Sequence, residues 1–277
     1  MGELDPFVLR RVLWLRQLSW LAEAELADLA VLADNLTELR YSRGALVLPG
    51  GVPPGALHLV IEGELAMGSQ TWGPRRVVGA LEVLARRAMR APVVATRETR
   101  TLQLVGSDAR EILEENFGIL RAALRGMASV LPEILPARPP HELGDPLGFV
   151  DRLILLRELP TFAGARLDAL ASLAHASHEI AIPAGAPIVR GGEPAIASLV
   201  IVEGSARGPL GELGPGSTIG ALETLAEMPH AATIHATSRV RVLESGASAL
   251  FDVIEDHTDL GMAMLASFAS TLAGPHA

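Results

Sequence analysis

The side chains best suited to chemistry are a knot of arginines and a scatter of histidines. Arg86, Arg87 and Arg90 fall within five residues, with Arg75 and Arg76 a little earlier. Guanidinium groups at that density either hold an anion through charge-assisted hydrogen bonds or form a solvated basic loop. A transition-metal shell on a small β-barrel would need a His-x-His pair, a carboxylate and a further histidine. Here His58 stands alone in an apolar run, and His175 and His178 lie near a helix end. His230 and His235 have no histidine 141 positions earlier, where Met89 and Val94 stand. The chain has no cysteine, which removes disulfides, thiolate metal sites and thiol nucleophiles. There is no Gly-x-Ser-x-Gly elbow, phosphate loop or His-Glu-x-x-His helix. The expectation is a protein that is not an enzyme and holds no metal.

A formal charge of −9 repels a phosphate backbone, so nucleic-acid binding is not expected. Met1–Pro6 carries two acids and no basic run ahead of an apolar core, unlike a secretory signal. The longest apolar stretch, Leu260–Ala269, falls well short of the ~20 residues that cross a bilayer. These features point to a cytoplasmic protein with no membrane contact.

The elements that position these residues occur twice. Shifting the sequence by 141 positions lays residues 11–131 on residues 152–272 without a gap, with about a third of the pairs identical. Gly44, Gly51, Glu62-Gly63 and Gly73-Pro74 return as Gly185, Gly192, Glu203-Gly204 and Gly214-Pro215. Gly79-Ala80-Leu81-Glu82-x-Leu84-Ala85 returns as Gly220-Ala221-Leu222-Glu223-x-Leu225-Ala226. So long a period marks a duplicated domain rather than a solenoid. We expect domains at 1–135 and 147–277. Between them runs a linker, 136–146, which four prolines keep from forming helix or ladder.

Each copy opens with helical spacing: Leu15, Leu18, Leu26, Leu29 and Leu32 in the first, with a break near Ser19 matched by Pro160 and Gly164 in the second. Short apolar runs follow at Leu46–Leu48, Leu57–Ile61 and Val77-Val78, and again at Pro187–Val189, Leu199–Val202 and Thr218-Ile219. Turn residues every 8–12 positions predict a closed β-roll. Helix then returns, with Ser107 and Ser248 as N-cap candidates. One apolar face is Ile112, Leu113, Leu120, Leu124 and Val130-Leu131. The other is Val253, Ile254, Leu260, Met264, Leu265 and Phe268, thickened by Met262. The last helix is apolar around much of its girth, which predicts self-association or a protein partner there, in a homo-oligomer.

This plan, with the glycine landmarks and the Gly79–Pro92 and Gly220–Thr233 segments, resembles the cyclic-nucleotide-binding family. That family includes the catabolite activator protein and the tandem regulatory subunits of cyclic-nucleotide-dependent kinases. The resemblance implies a mainly β fold with flanking α-helices: two cyclic-nucleotide-binding-like β-rolls of the double-stranded β-helix, or jelly-roll, kind. It also implies a phosphate-binding cassette reading Gly-Glu-Leu, then Pro-Arg-x-Ala-Thr or Ser. In the family the arginine neutralises the cyclic phosphate and the glutamate accepts from the ribose 2′-hydroxyl. The matching positions are Gly79, Ala80, Leu81, Glu82, Arg90 and Ala91 in the first copy. In the second they are Gly220, Ala221, Leu222, Glu223, His230, Ala232 and Thr233.

Both copies depart from the pattern at the charged positions. Alanine (Ala80, Ala221) stands for the glutamate, and Met89 and His230 stand for the arginine; Glu82 and Glu223 come two places late. A buried anion without a fixed counter-charge costs several kcal/mol. We therefore expect a regulatory, protein-interaction or scaffolding module with degenerate pockets and no cofactor. The alternative is a cyclic mononucleotide sensor with atypical anchors, Arg90 with Arg86 and Arg87 in one copy and a protonated His230 in the other. The chain reaches Ala277 only a few residues past Leu272, so no helix-turn-helix of the catabolite-activator kind is expected.

Overall fold

Aliphatic residues three and four apart give each repeat its opening helices. In the computed structural model, which describes residues 6–131 and 146–274, these are α1 (Pro6–Leu15) and α2 (Leu26–Asp34), separated by a 3-10 turn at Ser19–Leu21. Leu15, Leu18, Leu29 and Leu32 are buried as the spacing predicts. Leu26 is exposed, because as the first residue of α2 it precedes the buried stripe.

The chain divides into two compact units, Met1–Ala123 with Ala269–Ala277, and Leu124–Phe268. In unit 1 the strands are β1 (Thr37–Tyr41), β2 (Leu46–Leu48), β3 (Ala56–Glu62), β4 (Leu65–Met67), β5 (Gln70–Trp72) and β6 (Val77–Val78). After the one-turn helix α3 (Ala80–Ala85) come β7 (Val93–Ala95) and β8 (Thr99–Val105). They form two antiparallel four-stranded sheets, β1-β8-β3-β6 and β2-β7-β4-β5. Leu48, Val60, Leu65, Val78, Met89, Val93 and Ala95 pack together as the core of this roll. Helices α4 (Gly106–Glu115) and α5 (Phe117–Ala128) follow.

Unit 2 repeats the plan. Its opening helices are α6 (Phe149–Glu158) and α7 (Leu167–Ala176), with a 3-10 turn at Pro160–Phe162. Its strands are β9 (His178–Ile182), β10 (Pro187–Val189), β11 (Ala197–Glu203), β12 (Ala206–Gly208), β13 (Gly211–Leu213) and β14 (Thr218–Ile219). Helix α8 (Ala221–Ala226), β15 (Ile234–Ala236) and β16 (Val240–Gly246) complete the roll. Every strand lies 141 positions after its counterpart, and even the bulge after Val60 on β3 recurs after Ile201 on β11. The sheets are β14-β11-β16-β9 and β10-β15-β12-β13 around an aliphatic core that includes Leu199, Ile201, Ile219, Val240 and Val242. Helices α9 (Ala247–Asp256) and α10 (Thr258–Leu272) close the repeat.

The Glu-Gly landmark has a steric cause. Gly63 and Gly204 take φ of +91° and +88°, and a Cβ there would strike the Glu98 or Arg239 carbonyl oxygen. Only glycine meets both demands. The preceding glutamate serves an arginine on the neighbouring strand. Arg241, 7% exposed, donates to both Glu179 oxygens (2.6 and 3.1 Å) and to Glu203 (3.0 Å). Arg100 makes the same link to Glu38 (2.6 and 3.0 Å) and Glu62 (3.3 Å) from a more exposed position.

Three expectations are corrected. Ser107 and Ser248 are not N-caps, since each helix starts one residue earlier, at Gly106 and Ala247, after an extended residue with no side-chain cap. Val130-Leu131 lies beyond α5, and Val130 is exposed; the Ser129 hydroxyl donates back to the Gly126 carbonyl at the helix end. Met264, Leu265 and Phe268 are at most 1% exposed and Met262 is half-buried, so these four do not form the exposed apolar surface expected of α10. The expected linker, apart from Pro146, lies outside the described residues.

Candidate functional site

Each cassette hangs on a left-handed glycine. Gly79 (φ +83°) and Gly220 (φ +73°) precede α3 and α8 and turn the chain from a strand into a single helical turn. Each turn ends on a non-glycine left-handed residue, Arg86 (φ +52°) or Glu227 (φ +54°). This lets the next amide return to the helix, Arg87 N–H to the Glu82 carbonyl and Met228 N–H to the Glu223 carbonyl, both at 2.9 Å. Ala80 and Ala221 are the first helical residues, while Leu81, Leu222, Glu82 and Glu223 are half-buried.

The residues at the arginine positions turn inward. Met89 is 2% exposed and belongs to the aliphatic core of the first roll. His230 is 8% exposed, and its ring lies so close to the start of α8 that a Cβ on Gly220 would be 2.7 Å from Cε1. Their backbones hold matching places: Met89 N–H donates to the Val52 carbonyl at 3.0 Å and His230 N–H to Glu193 at 2.9 Å. Thr233 turns its hydroxyl to the Gly191 N–H (3.0 Å), and Ala232 packs against Gly191. Ala91 and Pro92 close on Gly50 in the same way.

The structure does not bring Arg90 to α3. Arg90 is exposed and donates to the Ala273 carbonyl, and Arg87 donates to the Ser270 carbonyl at 3.0 Å; all four residues belong to unit 1. Carbonyls at the end of a helix carry partial negative charge and are natural guanidinium acceptors.

Sequence reasoning left His58 standing alone and missed the polar cluster it forms inside the first roll. His58 on β3 is 1% exposed, its Nδ1 lies 3.2 Å from the Thr101 hydroxyl, and the Tyr41 ring meets it edge-on at 5.9 Å. Its Nε2 is buried without a partner. The second repeat has Ile182, Leu199 and Val242 at these three positions. Aligning the two copies position by position carries that signal. Burial pushes the His58 imidazole down to about 4. The unfolded chain, titrating near 6.5, binds more protons between these values, so stability falls as pH drops through that window. The loss is about 1.4 kcal/mol per pH unit and about 3 kcal/mol in all, with none above the window. His58→Leu is expected to flatten this slope in denaturant titrations run at a series of pH values. An unchanged slope would assign it to other groups.

Residues 179–257 match the family model described as cyclic nucleotide-binding domain. The second roll therefore has the fold of a cyclic nucleotide-binding domain. The first roll repeats its strand order, register and bulge, so the chain is a tandem of this fold. No curated protein matches the chain. Among solved structures it is similar to the regulatory domain of Toxoplasma gondii PKA in co-crystal with cAMP, at 18% identity over 93% of this chain and 98% of that one, with a TM-score of 0.38. The regulatory subunit of a cAMP-independent protein kinase A from Trypanosoma brucei is similar at 17% identity, 93% coverage of each chain and a TM-score of 0.38. The N-terminal domain of a transcriptional regulator from Streptomyces coelicolor A3(2) is 26% identical over 43% of this chain and 90% of that one, with a TM-score of 0.39. Among the described residues no group of three His, Cys, Asp or Glu could hold a metal, and no helix is long and apolar enough to cross a membrane.

Proposed function

We propose that the chain is a non-catalytic regulatory module, acting through protein contacts, whose two cyclic nucleotide-binding domains have exchanged their anion anchors for space-filling side chains. We take its domains as 1–135 and 147–277, joined by the proline-rich stretch 136–146. The observation that carries the proposal is the burial of Met89 and His230 where a guanidinium would be needed, with alanine at both sugar-acceptor positions. A cyclic phosphate entering either roll would lose its hydration and meet no fixed cation. Isothermal titration of the full chain with cyclic AMP and cyclic GMP at neutral pH is expected to give no heat of binding at millimolar ligand. Saturable binding in the micromolar range would overturn the proposal.

A second reading draws on the contact between the His230 ring and the first turn of α8. Once protonated, that ring would face a cyclic phosphate at the helix start as its counter-charge. Titration under mildly acidic conditions separates the two readings. Acid-dependent binding that His230→Ala abolishes favours the second.

A further inference from the structure

The far end of the first roll carries a cleft with a different composition from its counterpart. A hollow of about 310 Å³ is lined by Arg40, Tyr41, Ser42, Glu62, Glu98, Thr99 and Arg100. It is separate from the cassette. Gly79 packs against Ala56 and Leu57 at the start of β3, whereas Glu62 is the last residue of that strand. Six steps of ~3.3 Å put the two ends roughly 20 Å apart.

The second repeat serves as an internal control. Of the seven lining positions, it keeps two, Glu203 and Arg241, and these form the strand-bridging ion pair seen in both units. That pair is structural. At the other five positions the second repeat has Ala181, Ile182, Pro183, Arg239 and Val240. Arg40, Tyr41, Ser42 and Glu98 thus add polar groups that the second repeat replaces by Ala181, Ile182, Pro183 and an arginine, and in the first repeat the polar surface continues inward from Tyr41 to the buried His58 and Thr101. Buried hydrogen-bonding groups cost free energy against aliphatic ones unless their partners are met, and the second roll shows that the fold closes without them.

We propose that this cleft binds a small zwitterion of the free amino acid class, Arg40 receiving its carboxylate and Glu98 its ammonium group, with Tyr41 and Ser42 between them. The charge arrangement supports this assignment. The Arg100 guanidinium is engaged by Glu38 and Glu62, which leaves Arg40 and Glu98, both exposed, as the other two charged residues lining the cleft. A volume near the lower end of small-molecule pockets suits a ligand of that size.

The test is a thermal-shift and calorimetric screen of the full chain against the free α-amino acids, with acetate and methylammonium as single-charge controls. At least one amino acid is expected to bind and raise the melting temperature, while neither control does. Arg40→Ala and Glu98→Arg, which install the residue types of the second repeat, are each expected to weaken binding by about tenfold or more. Arg239→Glu, the mirror change in unit 2, is expected to leave it unchanged. No binding by any amino acid, equal binding of a single-charge control, or a clearly smaller loss in either variant would overturn the assignment.

Discussion

Ala221→Glu combined with His230→Arg is expected to create cyclic nucleotide binding in the second roll. Affinity should rise from nothing measurable at millimolar ligand to a dissociation constant in the micromolar range. That is at least a hundredfold to a thousandfold, about 3–4 kcal/mol. The backbone for this gain is already in place: a left-handed Gly220, a helical turn behind it, and Thr233 at the closing position. Position 230 already points at the start of α8, so an arginine there would set its guanidinium against an incoming phosphate. Glutamate at 221 would restore the acceptor for a ribose hydroxyl. The single changes should do far less, because an uncompensated buried charge in either one offsets what it gains. Calorimetry on the double variant and both singles reads this directly. A double variant that folds and stays silent would show that the interior has closed for reasons beyond these two side chains.

Arg241→Ala is expected to destabilise unit 2 by about 1.5–3 kcal/mol, the range for hydrogen bonds to a charged group, whereas Arg100→Ala should cost unit 1 no more than about 1 kcal/mol. The two arginines bridge equivalent glutamates from equivalent strands, but Arg241 binds both oxygens of Glu179 where Arg100 binds one of Glu38, and it is better shielded (9% side-chain exposure against 24%). Removing Arg241 strands Glu179, whose carboxylate is held below its usual range chiefly by the hydrogen bond from Arg241 and is also bound by the Leu147 N–H. Because that pKa is depressed, the stabilisation is present above the ordinary carboxylate range and is lost as pH falls through the folded value. Chemical denaturation of the two variants, followed at neutral and acid pH, measures both the asymmetry and its direction. Equal losses in the two variants would contradict it.

Most of the architecture could be read from the chain because turn chemistry and strand period are local. Gly44, Gly51 and Gly79 mark left-handed corners, and the apolar runs at Leu46–Leu48 and Pro187–Val189 coincide with β2 and β10. The three-residue strands β4, β5, β12 and β13 were not legible, since segments such as Gln70–Trp72 are too short to show alternation and owe their form to pairing. At the cassettes the sequence names the missing charges, but not where Met89 and His230 point; that depends on contacts with residues distant in the chain. The destination of Arg90 was hidden for the same reason, its acceptor at Ala273 lying 183 positions away. The polar interior of the first roll was also concealed, because His58 in a run of aliphatic neighbours looks like an isolated oddity until Tyr41 and Thr101 converge on it.

The gapless offset between the copies has a practical corollary. Since strands, corners and bulge keep the same count from Thr37–Val105 to His178–Gly246, either segment can be spliced into the other's place without redesigning a single loop. Chimeras with two identical barrels would then tell apart the properties that belong to a barrel's own lining from those that belong to its position along the polypeptide.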